Sequence, residues 1–250
     1  MGSTHPQACA EQAEHHADLP EDTAERFAGY GVLGVPFGSG HYLAFRHFPA
    51  SSIGPGYHAV WLRRPDRQWT VYADAPPQLS CARYLGSALS AAVETGVTIA
   101  WDGPSAAIIR VPGVLNWRIE LATSQATNAI SALARLMPGW AWRDERVLRG
   151  MGLMVRPLLR AGRLRFSGVV PNGQSFQARP LRVWAVRTAS ATIDGNDAGT
   201  PAPLPEQERL GDFCLPQRGL FIADLGVRFP STAGAGTAPS AEGSKEAWAS

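Results

Sequence analysis

The chain has 250 residues, of which 45% are hydrophobic, so it can build one β-rich domain or two small ones. Its formal net charge is only +2 and it carries no recognisable motif for reading bases, which together argue against nucleic acid as a partner. The N-terminus lacks the basic-then-apolar order of a signal peptide, and no apolar run approaches the ~18 residues of a membrane span, so we expect a cytoplasmic protein without an integral membrane segment.

The residue types that usually mark metal, redox or catalytic sites form no pattern here. Cys9, Cys81 and Cys214 are widely spaced and make no C-x-x-C pair, so we predict neither a metal site nor a cofactor. The G-x-S-x-G, H-E-x-x-H and Walker motifs are absent as well. Lysine occurs once, at Lys245, against 22 arginines, a bias that indicates a GC-rich bacterial genome as much as any phosphate-binding role.

Both ends of the chain differ in composition from its middle. Residues 1–26 carry six acidic residues and one arginine and are poor in large apolar groups, so we predict a disordered acidic arm over 1–29. Residues 230–250 are rich in Ser, Ala, Gly and Pro, which predicts a disordered tail. The globular domain is therefore expected over 30–229.

The first half of that domain reads as antiparallel hairpins. YHAVWLRR and QWTVYAD alternate in polarity on either side of the turn Pro65-Asp66-Arg67. Farther on, the run 114–123, VLNWRIELAT, reads as a long strand with an apolar and a polar side. Its apolar side carries Leu115, Trp117, Ile119 and Leu121, and its polar side carries Asn116, Arg118 and Glu120.

After this strand, the spacing of the apolar residues changes to the spacing typical of helices. Thr123 or Ser124 could cap a first helix, which Pro138-Gly139 would stop. A second helix is predicted over 145–160, with four arginines inside an arc of about 80°. These arginines are Arg146, Arg149, Arg156 and Arg160.

The segment 163–195 predicts a second set of strands. Two alternating runs, 164–170 and 174–178, flank Pro171-Asn172-Gly173, in which Asn-Gly supplies the positive φ of a tight turn. Two further runs, 181–187 and 189–193, complete a meander of four short strands.

These elements together predict a mainly β protein. Hairpin follows hairpin without strand–helix alternation, so the sheet should be antiparallel and barrel-like, as one barrel or two. The halves would be 40–123 and 163–229, with two helices in 124–160 inserted between them.

Candidate functional residues are the polar groups on strands whose other side is apolar. Arg118 and Glu120, with Asn116, would orient a polar ligand group if they face a cavity, or form a surface ion pair if they face water. Tyr72 and Asp74 allow the same two interpretations. Trp61 and Trp117 would be cavity walls or core. Cys81 could serve as a nucleophile only with a lowered pKa, and a buried inert thiol is the alternative.

The sequences GPGYHAVWLRRPDRQWTVYAD and SGVVPNGQSFQARPLRVWAV resemble those of lipocalin-like double-barrel proteins. Among these, the hydroxyneurosporene hydratase and AttH-type group is the nearest. The resemblance covers about residues 40–229 and implies a barrel architecture. No catalytic residue of that group has a match here, so none is transferred.

Three functions follow as hypotheses. The first is binding of a small, largely apolar molecule in a β-barrel cavity, with Arg118, Glu120 and Tyr72 at its polar end and Trp117 and Trp61 as walls.

The second hypothesis is a hydratase- or isomerase-like enzyme that uses Glu120 or Asp74 as its acid or base, which requires a carboxylate with a raised pKa. The third is an interaction protein that uses the arginine-rich helix. An unpaired strand edge could also join two copies into a homodimer.

Overall fold

The computed structural model describes residues 5–17, 19 and 22–230. Its α-helices are α1 (Pro6–His15), α2 (Ala82–Leu85), α3 (Gln125–Leu136) and α4 (Glu145–Leu159), with short 3₁₀ helices at Pro77–Leu79, Gly86–Ala88 and Gly139–Trp142. The first eight strands are β1 (Glu25–Pro36), β2 (Tyr42–Ser51), β3 (Tyr57–Arg63), β4 (Trp69–Ala73), β5 (Ala91–Glu94), β6 (Thr98–Trp101), β7 (Ala106–Val111) and β8 (Leu115–Ala122). The remaining strands are β9 (Ser167–Val169), β10 (Ser175–Ile193), β11 (Asn196–Asp197), β12 (Arg209–Leu210), β13 (Phe213–Cys214) and β14 (Leu220–Phe229).

Apart from β12 and β13, which pair only with each other, the strands of both predicted halves form one large sheet. Its order is β5-β4-β3-β2-β1-β14-β10-β8-β7-β6, with β9 and β11 paired to β10, and only the β4–β5 pair is parallel. Trp101 on β6 and Phe221 on β14 lie with their ring centroids 5.9 Å apart, although four ladder steps separate these strands. Four steps in a flat sheet would span about 19 Å, so the sheet curls strongly. The predicted mainly β, barrel-like fold is confirmed.

Each face of the sheet packs into its own apolar core. The inner core fills the curl and joins strands from both ends of the sheet, with Val60 and Trp117 among its members. The outer core lies on the opposite face of β1–β4, β10 and β14, under α2, α3, α4 and the segment 200–215. The curl is thus occupied by side chains, and α2, α3 and α4 form a second layer on the outer face.

The two helices predicted in mid-chain are both present. Ser124 caps α3 in a capping box with Thr127, whose backbone N–H donates to the serine hydroxyl at 3.1 Å. Asp144 caps α4 by accepting from the backbone N–H of Arg146 at 2.7 Å. Both helices bury one apolar stripe on the outer core, as their sequence period predicts.

The prediction of a disordered arm over 1–29 was wrong for the described residues of that stretch. Residues 6–15 form α1, and β1 begins at Glu25. Cys9, Ala10 and Ala13 lie on one side of α1 and are buried in the inner core. Small side chains give a weak hydrophobic period, but they let the helix pack closely against the sheet. The predicted tail, 230–250, lies outside the described residues except for Pro230.

The four short strands predicted over 163–195 are instead β9 and one long strand, β10. Pro180 lies between two of the predicted runs, 174–178 and 181–187. It lies opposite Leu225, next to Asp224, where β14 has a positive φ of 54° and a bulge. Proline is tolerated in sheets at such irregular positions. β10 therefore continues past the proline and pairs with β14 along its first half and with β8 along its second.

Candidate functional site

The polar side of β8 faces outward, away from the inner core. Asn116 is exposed, Arg118 forms an ion pair with Asp102, and Glu120 forms one with Arg187 at 2.9 Å. The hydrogen bond from Arg187 lowers the pKa of Glu120, whereas the enzyme hypothesis requires a raised one. The roles predicted for these residues stay predictions, and the structure places all three on an outward surface.

Trp117, Tyr72 and Asp74 lie on the face of the sheet that forms the inner core. Trp117 is completely buried, and Tyr72 packs in the same core. Asp74 accepts a hydrogen bond from the backbone N–H of His58 at 2.6 Å and lies 2.7 Å from its Nδ1. The structure therefore does not bring the predicted residues together around one space.

Among the residues predicted to bind a ligand, Trp61 lines a cavity. Its side chain points into the outer core, where an internal space of about 80 Å³ lies between the sheet and the chain segments that cover it. We call this space the Arg46 cavity. Its lining is mostly aromatic and aliphatic, and its polar side chains are those of Arg46, Tyr57, Trp61, Cys81 and Tyr84.

Arg46 is the only charged residue of that lining and is nearly completely buried. Its guanidinium donates to the carbonyl oxygens of Val32, Phe45 (2.8 Å) and Leu33 (3.3 Å), close to a register shift in the β1–β2 pairing. Its Cζ lies 4.7 Å from the centroid of the Trp61 ring, a cation–π contact. No carboxylate among the described residues forms an ion pair with it.

Burial lowers the pKa of Arg46 to about 10, so the guanidinium still carries its charge at neutral pH. The sequence analysis missed this residue, although a signal was present. Tyr42, Ala44 and Phe48 share one side of β2, and Arg46 lies on that same side. A charged residue in an otherwise apolar row of a strand indicates a buried charge.

Cys81 and Tyr57 lie beside Arg46. Nε1 of Trp61 donates to Sγ of Cys81 at 2.9 Å, and the Tyr57 hydroxyl is buried. Burial raises the pKa of the Cys81 thiol to about 11, so the thiol is protonated at neutral pH. A nucleophilic cysteine needs a lowered pKa, and Cys81 does not meet this requirement. Its thiol is instead a weakly polar part of the wall of the Arg46 cavity.

The segment after β4 brings Cys81 to the cavity. It turns under the sheet through the 3₁₀ helix Pro77–Leu79 and α2, and α2 ends at its C-cap Gly86, whose φ of +42° suits glycine. Tyr84 on α2 stacks on Phe229 with ring centroids 3.7 Å apart, and its hydroxyl donates to Glu25 at 2.8 Å. These contacts fix the segment to both β1 and β14 and hold the cavity wall in place.

The described residues contain no group of three His, Cys, Asp or Glu side chains arranged to hold a metal ion. No helix in the described part of the chain is long and apolar enough to cross a bilayer.

Comparisons with known proteins give little further information. No family model matches the chain, and no curated protein matches it. Among solved structures, it is similar to an acetoacetate decarboxylase from Legionella pneumophila subsp. pneumophila strain Philadelphia 1. The sequence identity is 9%, the match covers 87% of this chain and 91% of that one, and the TM-score is 0.37. The resemblance to the hydroxyneurosporene hydratase and AttH-type group stays a prediction.

Proposed function

We propose that this protein binds a small, largely apolar molecule that bears one carboxylate, in the Arg46 cavity. The observation that carries the proposal is Arg46 itself, a buried cation with no carboxylate partner among the described residues. Burying an unpaired charge is costly, and proteins that do so usually pair it with an opposite charge. A ligand carboxylate would be that charge.

The hydrogen-bonding capacity of Arg46 supports this assignment. A guanidinium has five N–H groups, and three of them donate to backbone carbonyls. The two that remain are on Nε and Nη2. These are neighbouring nitrogens on one edge of the planar group, which is the geometry that binds a carboxylate through two parallel hydrogen bonds.

The volume of the cavity limits the size of the ligand. A cavity of about 150 Å³ admits benzene, which has six non-hydrogen atoms. The Arg46 cavity, at about 80 Å³, has roughly half that volume. The ligand portion inside should therefore be a short-chain carboxylate of about three to five non-hydrogen atoms, such as propionate. A ligand of this size binds with at most about −7 kcal/mol, so micromolar to millimolar affinity is expected.

The test is a calorimetric titration with propionate and with its neutral isostere, propionamide. The wild-type protein should bind propionate more tightly by about tenfold or more, because a hydrogen bond to a buried charge contributes more than one between neutral groups. Arg46→Met should abolish that preference, and Arg46→Lys should keep part of it. Arg110→Met, at an exposed position of β7, is the matched control and should bind like the wild type.

Equal binding of the two compounds to the wild type, or an unchanged preference in Arg46→Met, would contradict the proposal. If Arg46→Met does not fold, Arg46→Lys provides the comparison. Native mass spectrometry of the purified wild type, followed by solvent extraction, gives a further readout. A carboxylic acid that co-purifies in near-stoichiometric amount supports the assignment.

The alternative function, an acid–base enzyme of the hydratase or isomerase type, has one observation in its favour. Asp74 binds Nδ1 of His58 at 2.7 Å, and an Asp–His pair of this kind can orient an imidazole as a general base. Neither residue lines the Arg46 cavity. Turnover of the cavity ligand that is lost in Asp74→Asn and in Glu120→Gln would favour the enzyme, whereas intact binding without turnover favours a carrier.

The interaction hypothesis is supported by the outward side of α4. Leu153 is 72% exposed and, at 100° per residue, lies inside the arc formed by the four arginines. The four arginines would attract an acidic partner surface, and Leu153 among them would add an apolar contact. Capture of such a partner should weaken at high salt and in Leu153→Ser.

A further inference from the structure

A second and larger space lies at one end of the sheet and is separate from the Arg46 cavity. It is a groove of about 700 Å³ between the end of α1, the 3₁₀ helix Gly139–Trp142 and the strands β1, β14 and β10. Ligand pockets commonly measure about 300–1,000 Å³, so the groove has room for a whole small molecule. Its floor and walls carry four arginines and two aspartates.

The floor of the groove is built from two cross-strand rows. In the first row, Arg26 on β1 is opposite Arg228 on β14, which is opposite Gln177 on β10. Side chains directly opposite each other on neighbouring strands lie about 5 Å apart, and like charges in such a pair repel. Asp22 pairs with Arg228 in this row, so Arg26 is the member of the row that an additional anion would neutralise.

The second row lies two residues along the strands, on the same side of the sheet. It consists of Ala28, Gly226 and Arg179. The first two have little or no side chain, which leaves the floor open at this point. A Cβ on Gly226 would lie 3.7 Å from Nε of Arg179, so the arginine side chain lies directly beside the open floor.

Both aspartates of the groove form ion pairs with arginines. Asp22 accepts from Nε of Arg228 at 2.8 Å and lies 3.9 Å from Arg143, and Asp224 pairs with Arg182 at 2.9 Å. No carboxylate among the described residues pairs with Arg26 or with Arg179. Nε and Nη1 of Arg26 are buried and make no hydrogen bond. Within the described part of the chain, the groove therefore holds two arginines that form no ion pair.

We infer that the groove binds a phosphate monoester, with the phosphoryl group between Arg26 and Arg179. A phosphate monoester carries a charge of about −1.5 to −2 at pH 7, which matches two guanidinium groups that have no carboxylate partner among the described residues, and its three oxygens can accept hydrogen bonds from both. The ester's organic part would lie along Trp140, whose side chain is 66% exposed at the groove wall. The phosphoryl group could belong to a soluble ester or to a lipid headgroup.

The test titrates the full chain with phenyl phosphate in a calorimeter and, separately, sediments it with phosphatidylcholine vesicles with and without phosphatidic acid. Arg179→Gln and Arg26→Gln should each weaken binding by about tenfold or more, the usual effect of removing a charged hydrogen bond. Arg110→Gln is the matched control. Arg46→Lys should bind phosphate like the wild type, which separates this inference from the function proposed for the Arg46 cavity.

Saturable binding of phenyl phosphate that both groove variants weaken supports the inference with a soluble ester as ligand. Binding only to vesicles with phosphatidic acid, weakened in the same variants, supports it with a lipid headgroup. The inference is overturned if neither probe binds, or if the groove variants bind as well as Arg110→Gln does.

Discussion

The stability of this protein should fall between pH 7.5 and pH 5 because of one largely buried histidine, His47 on β2. Burial, together with the stacked ring of His58 3.8 Å away, lowers the pKa of His47 from 6.5 to about 3. The carboxylate of Glu14 on α1 lies 3.3 Å from Nδ1 of His47, but the same oxygen already accepts the hydroxyl proton of Tyr30 at 2.5 Å. His47 is therefore neutral in the folded protein.

The sign of the effect follows from proton binding. Between pH 3 and pH 6.5 the unfolded chain protonates this histidine and the folded protein does not, so lowering the pH favours unfolding. The loss begins as the pH falls through 6.5 and is complete near pH 3. Integrated from pH 7.5 to pH 5, the two pKa values correspond to about 2 kcal/mol of unfolding free energy.

The assay is urea denaturation at both pH values, with wild type, His47→Gln and His15→Gln. The wild type should lose about 2 kcal/mol more than His47→Gln between pH 7.5 and pH 5. His15 is exposed on α1, so its variant should keep the wild-type pH dependence. An equal loss in wild type and His47→Gln would refute the assignment, because the pH dependence would then come from other groups.

Three further outcomes can be measured on the same protein. Gly34→Ala should destabilise by about 1–3 kcal/mol in urea denaturation, because its Cβ would lie 2.0 Å from the hydroxyl of the buried Tyr42; a midpoint like that of the wild type would contradict this. Ser124→Ala should cost about 1 kcal/mol in the same assay through loss of the α3 cap, and a variant as stable as the wild type would show that the cap contributes nothing. Iodoacetamide should alkylate Cys214, which is partly exposed, before Cys81, as read by mass spectrometry; fast labelling of Cys81 in the folded protein would contradict the buried, protonated thiol.

Local patterns in the sequence were sufficient for most of the elements. Alternation on both sides of Pro65-Asp66-Arg67 identified β3 and β4, and Ser124 with the period that follows it identified α3. These predictions succeeded because strand alternation, turn residues and helix caps depend on neighbours within a few positions along the chain. Where the pattern was weak, as in the small side chains of α1, the element was missed.

The candidate site depended on contacts between distant parts of the chain. The alternation in β8 predicted that Trp117 and Glu120 lie on opposite sides, but which side meets a cavity depends on the curl of the sheet and on where the helices pack. Arg46, Trp61 and Cys81 come together because β2 and β3 pair in register and the segment after β4 folds back under them. The sequence alone determined most of the secondary structure and the β-rich class. The tertiary structure decided that a charged side chain would be buried without a carboxylate partner among the described residues, because burial depends on packing between segments far apart in sequence.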